Sequence, residues 1–96
     1  MPILRQYVMI AAEGREETMC KALVDLAAKV RPLEGCEGVE LYQDPAKPAY
    51  FLFIERWASI DVHKAGAKQL GKEALADVLA AIAQPPEGRY LESIAL

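Results

Sequence analysis

The chain is poor in the residues that build metal centres. Among its 96 residues there are two cysteines (Cys20 and Cys36), one histidine (His63) and no asparagine. Two distant cysteines and one histidine cannot form a transition-metal site without carboxylate help, so no metal is expected. Long apolar runs are also missing: none approaches the roughly 20 residues that span a bilayer. The first apolar stretch follows Arg5 and Gln6 and stops at Glu13, which is not the order of a secretory leader. A cytoplasmic protein with reduced thiols is therefore expected. Nor is there an excess of charge of one sign. Lysine and arginine total 11 against 14 aspartates and glutamates, a net charge of −3 with the signs interleaved. Without a basic cluster, neither nucleic acid nor an anionic membrane surface is an expected partner.

Apolar residues, in contrast, are abundant. They make up 53% of the chain, above the usual range of about 45–50%. A body this small has proportionally more surface to keep polar. Tyr50, Phe51, Leu52, Phe53 and Ile54 run without alternation, as in a strand buried on both faces. The run continues through Glu55 and Arg56 to Trp57, the one tryptophan, and Ser59 is placed to cap a following helix.

The spacing predicts strands over 3–12, 38–43, 49–57 and 89–95, and helices over 15–31, 60–69 and 72–83. In the first helix Met19, Ala22, Leu23, Leu26, Ala27 and Val30 share one face. Leu75, Val78, Leu79 and Ile82 do so in the last. This β-α-β-β-α-β order is the split βαβ arrangement of an α+β, ferredoxin-like two-layer sandwich. Residues 1–96 are read as one domain, with a four-stranded antiparallel sheet and helices on one face. The uncovered face would carry alternate residues of 7–12 and 50–54, all apolar. That exceeds what a soluble monomer normally exposes. A homodimer packed sheet to sheet about a two-fold axis is expected.

Several segments resemble the antibiotic biosynthesis monooxygenase family, which includes small quinol monooxygenase-like proteins. They are Glu34-Gly35-Cys36, then Val39-Glu40-Leu41-Tyr42-Gln43-Asp44-Pro45, then Phe51-Leu52-Phe53-Ile54-Glu55-Arg56-Trp57-Ala58-Ser59. Glu13-Gly14-Arg15-Glu16-Glu17 resembles the family's first strand-to-helix junction. The resemblance implies a dimeric α/β barrel with a pocket between sheet and helices in each subunit. It also implies, for some members, oxygenation of a phenol or quinol by O2 with neither metal nor flavin. Family members often carry a histidine where this chain has Gly66; here His63 comes nearly one helical turn earlier.

The candidate site follows from these elements. His63 is the candidate base, since imidazole titrates near neutral pH and could take a phenolic proton. Its plainer role is that of a partly exposed helix residue. Trp57 and Phe53 share a strand face and are candidate walls for an aromatic ligand. Tyr42, beside Glu40 on its strand, is the candidate hydrogen-bond donor; Tyr7, Tyr50 and Tyr90 are read as filling the sheet faces or the interface. Glu55 is read as half of a structural ion pair, and Cys36 and Cys20 as small buried residues. The leading function is a cofactor-independent monooxygenase of a small aromatic quinol or phenol. The alternative is a non-catalytic dimer that binds a small molecule or is purely structural. Haem binding ranks below both, because the asparagine and the later histidine of haem-degrading relatives are missing.

Overall fold

The computed structural model describes residues 2–96. Four strands form one antiparallel sheet: β1 (Ile3–Ile10), β2 (Cys36–Gln43), β3 (Tyr50–Trp57) and β4 (Glu87–Glu92). Their order across the sheet is β2-β3-β1-β4, the ferredoxin-like topology. Helices α1 (Glu16–Val30), α2 (Ile60–Leu70) and α3 (Ala76–Ala81) complete the fold.

The α1 stripe behaves as its spacing predicts. Met19, Ala22, Leu23, Leu26, Ala27 and Val30 are all buried. They pack with Phe51, Phe53, Trp57, Met9 and Ile3 from the sheet. Strand register fixes what meets that layer. Across β1 and β3, Ile3 lies opposite Trp57, Arg5 opposite Glu55, Tyr7 opposite Phe53 and Met9 opposite Phe51. Tyr90 of β4 pairs with Arg5 from the other side. Because side chains alternate along a strand, all of these project towards the helices.

The predicted helix over 72–83 is not continuous. Gly71 ends α2 at φ 81°, a tight 3₁₀ turn covers Lys72–Leu75, and α3 follows. A 3₁₀ turn winds about 120° per residue and an α-helix about 100°, so four such residues advance the helix phase by roughly 80°. Val78 and Ala81 therefore turn inward, while Leu75 and Leu79 are exposed. This corrects the predicted Leu75–Leu79 face. Ile82 is already extended, and the end of the segment bonds instead to the end of β1: Ala83 N–H donates to the Ile10 carbonyl at 2.7 Å and Ala12 N–H to that of Ala81 at 2.8 Å. The last strand also stops earlier than predicted, at Glu92, and Ile94 and Leu96 beyond it are exposed.

Candidate functional site

The junction of β3 and α2 builds the site. Ser59 accepts the Val62 N–H at 3.1 Å, which starts α2 just after the end of β3. The helix is held close by Gly35, whose φ of 83° suits glycine and whose missing side chain leaves room for Val62. Gly66 plays the same part against Trp57: a Cβ there would lie 2.6 Å from the indole ring. With Trp57 in this place, no side chain fits at position 66, and the imidazole comes from His63 instead.

Trp57 is fully buried, and its indole N–H donates to Glu55 Oε1 at 2.8 Å. His63 is only 6% exposed. Its Nδ1 lies 2.7 Å from the Tyr90 hydroxyl. Its Nε2 lies 3.4 Å from the Tyr7 hydroxyl and 3.7 Å from Glu55 Oε1. The imidazole meets the rings of Trp57 and Tyr90 edge-on, at centroid distances of 5.4 and 5.3 Å. Beyond it, the Arg5 guanidinium lies over the rings of Tyr7 and Tyr90, at 5.0 and 4.4 Å. Its buried Nε has no hydrogen-bond partner among the described residues.

Burial dominates the electrostatics. It pulls the His63 imidazole below its ordinary value, and the cations of Arg5 and Lys64 pull the same way. Burial also pushes the Glu55 carboxyl up, against the opposing Trp57 N–H and Arg5. Tyr7 is raised mainly by burial. At neutral pH the imidazole is therefore uncharged, and its approach to Glu55 is a polar contact rather than a salt bridge. A neutral imidazole offers one donor and one acceptor nitrogen, so it can receive a proton from a ligand.

A cavity of about 100 Å³ lies between this cluster and the helices. Tyr7, Glu55, Trp57 and His63 form its polar and aromatic wall; Met9, Leu26, Val30, Leu33, Ala67 and Leu70 form most of the rest. Gly71, Leu75 and Pro86 also border it. Leu75 is exposed, so the cavity approaches the surface beside the 3₁₀ turn. Its size is of the order of the 150 Å³ apolar cavity that encloses benzene.

His63 and Trp57 thus meet on one cavity wall. Phe53 is buried behind that wall, its ring tilted against Tyr7 at 6.4 Å. Tyr42 does not join them. It pairs with Leu52 across β2 and β3 and so projects from the opposite sheet face, 53% exposed. There its hydroxyl donates to Glu40 Oε1 at 2.8 Å, and Arg56 Nη2 bonds Glu40 Oε2 at 3.0 Å. Tyr42 does share a face with Glu40, but it is not the face that lines the cavity beside His63. His63 is buried rather than partly exposed. Within one protomer Glu55 lines the cavity, tied to Trp57, with His63 Nε2 at 3.7 Å. Sequence reasoning gave Glu55, Tyr7 and Tyr90 structural roles and left Arg5 aside, although alternation from Trp57 back to Glu55 already put both on one face. What was missing was the register that brings β1 and β4 alongside. Cys20 and Cys36 are free and half-buried, and Cys36 is pushed up mainly by burial. Among the described residues, no three His, Cys, Asp or Glu side chains are grouped to hold a metal, and no helix is long and apolar enough to cross a membrane.

Comparison with known proteins agrees with this architecture. Residues 2–68 match the family described as antibiotic biosynthesis monooxygenase. No curated protein matches the chain. Among solved structures, PA3566 from Pseudomonas aeruginosa is similar at 25% identity and a TM-score of 0.81, over 98% of this chain and 95% of that one. Rv0793 from Mycobacterium tuberculosis is similar at 15% identity and a TM-score of 0.82, over 100% and 98%. A structure named antibiotic biosynthesis monooxygenase is similar at 16% identity and a TM-score of 0.83, over 97% and 99%.

Proposed function

The chain belongs to the antibiotic biosynthesis monooxygenase family, and from that premise we propose that it is a cofactor-independent monooxygenase of a small, single-ring quinol or phenol. The observation that carries this reading is the apolar cavity with Tyr7, Glu55 and His63 gathered on one wall. An electron-rich phenolate can itself reduce O2. The protein need only bind the ring, keep water out and favour the ionised form. For a dihydroxyarene the balance closes without another reductant. One oxygen atom replaces a ring hydrogen, the other leaves as water, and the four electrons come from the quinol as it becomes a hydroxyquinone. In this reading neutral His63 takes the phenolic proton, Trp57 stacks on the ring, and Phe53 holds Tyr7 in place from behind. Tyr42, on the far side of the sheet, has no part in it.

Oxygen uptake tests the proposal. Single-ring diols should consume O2 faster than they autoxidise in buffer. A fused two-ring quinol should be poor, because it outgrows the cavity. His63→Ala should lower the rate by about a hundredfold or more, the usual contribution of a general base. Rates equal to buffer, or unmoved by His63→Ala and Trp57→Phe, would remove the enzyme reading. A second reading is a binding protein without turnover. It is favoured by one observation: both ring nitrogens of His63 already face a tyrosine hydroxyl. Thermal stabilisation by single-ring phenols without any oxygen uptake would select it.

We also propose that two copies pack through the outer sheet face, where Leu4, Val8, Ile10, Leu52 and Ile54 are only half-buried in one protomer. Light scattering after size exclusion tests this. A 10.6 kDa species at micromolar concentration would refute it.

A further inference from the structure

We infer that the cavity selects a single-ring arene whose two hydroxyls are adjacent, a catechol, and that Glu55 joins His63 in holding them. This rests on reading the cavity as the substrate site, and goes further by naming the ligand's substitution pattern and a second residue that touches it.

The inference comes from how polarity is distributed around the cavity. Its polar side chains form one continuous cluster: Tyr7 lies 3.4 Å from His63, and His63 lies 3.7 Å from Glu55. Leu26, Val30, Leu33, Ala67 and Leu70, which make up most of the remaining lining, are hydrocarbon only. A ring with hydroxyls at both ends, a para-diol, would meet acceptors at one end and bury its second hydroxyl among leucine and valine. A buried hydroxyl without a partner is costly. Two adjacent hydroxyls avoid that cost. Both face the polar wall, where Glu55 and His63 Nε2 are close enough to be bridged by neighbouring O–H groups at ordinary hydrogen-bond lengths of about 2.7–2.8 Å.

Glu55 is suited to this task. Its Oε1 is held by the indole N–H at 2.8 Å, which orients the carboxylate with no help from the ligand. The register that sets Glu55 opposite Arg5 points it inward, and at 5% exposure it meets no bulk water. A ligand hydroxyl that donates to this carboxylate meets little competition from bulk solvent.

Binding under anaerobic conditions isolates the question from turnover. Isothermal calorimetry with catechol, hydroquinone and phenol as probes should rank catechol at least tenfold tighter than hydroquinone, which gains nothing from its second hydroxyl. In Glu55→Gln a neutral amide oxygen replaces the carboxylate Oε1 that lies 3.7 Å from His63 Nε2; it can still accept from Trp57, but it is a much weaker acceptor for the ligand's second hydroxyl. Catechol should then fall towards the affinity of phenol, while phenol itself changes little. If Glu55→Gln does not fold, the wild-type ranking alone decides. Hydroquinone binding as tightly as catechol would overturn the inference. Oxygen uptake, measured separately, judges the monooxygenase reading. Catechol-selective binding without uptake would sink that reading and keep this one; uptake with both diols bound equally would do the reverse.

Discussion

The two faces of the sheet carry the same three residue types in opposite surroundings. On the helix side, Arg5, Tyr7 and Glu55 gather around a histidine, and burial decides their chemistry. On the outer side, Arg56, Tyr42 and Glu40 are joined by hydrogen bonds of 3.0 and 2.8 Å in contact with solvent. Glu55 is pushed up by burial, whereas Glu40 is pulled down by the Tyr42 hydroxyl and Arg56. Tyr7 is raised because its charge would be desolvated; Tyr42 is raised because its hydroxyl donates to an anion. Composition therefore does not make a site. Of two near-identical sets, the inner one is the set that helices close over and the cavity adjoins.

The largest way to break the comparison is to empty the inner face. Trp57→Ala removes a fully buried indole, and such truncations cost about 3–5 kcal/mol. It also leaves Glu55 without its N–H donor. Urea denaturation should show a loss of that size, against less than about 1 kcal/mol for Tyr42→Ala on the outer face. Equal losses would mean that the inner cluster is not the tighter packed of the two. Overpacking comes next. Gly66→Ala drives a Cβ to 2.6 Å from the indole, and strain of this kind costs about 1–3 kcal/mol. The same substitution should displace Trp57, and tryptophan fluorescence should shift with it. A variant that is neutral and spectrally silent would show slack between α2 and β3.

Titration sharpens the contrast through its sign. Glu55 has a raised folded value, so its favourable contribution is complete at low pH and is lost as pH climbs from the ordinary glutamate range through that value. Glu40 has a lowered folded value, so its smaller contribution is present above the ordinary range and fades as pH falls through the folded value. Glu55→Gln should therefore gain stability relative to wild type as pH rises, and Glu40→Gln should lose it. His63 adds to the acid side. Its lowered value means that stability present above the ordinary histidine range is lost as pH falls through the folded value. Chemical denaturation of both variants from acid to neutral pH reads these slopes. Slopes of the same sign would contradict the assigned environments.

Much of this was legible before any coordinates. The spacing of Met19 through Val30 gave the buried stripe, and Ser59 gave the start of α2. Trp57 and His63 were chosen for their chemistry and do meet. Two kinds of information were out of reach. One is register: nothing in the neighbours of Tyr42 says which sheet face the helices cover, and nothing in those of Glu55 says that Arg5 lies opposite. The other is local winding. The periodic run from Leu75 to Ile82 fits an α-helix, but the 3₁₀ turn after Gly71 rotates it, and backbone bonds to β1 end it early. Tertiary pairing outweighed helical spacing there.

The smallest expected effect is the most telling about assembly. Arg56 and Glu40 form an ion pair whose side chains are 53% and 37% exposed in one protomer. Exposed pairs contribute roughly 0–1 kcal/mol, so Arg56→Ala should leave the stability of a dilute protomer almost unchanged. Glu40 stays solvated and keeps the Tyr42 hydroxyl. A second copy laid over this face would change that. The pair would lose water on both sides, and removing one partner of a buried pair typically costs about 3–5 kcal/mol. Arg56→Ala should then weaken dimerisation by at least a hundredfold, measured by sedimentation across a dilution series, while protomer stability scarcely moves. Dimer affinity within twofold of wild type would place the subunit contact away from Arg56, and the outer triad would be a solvated surface after all.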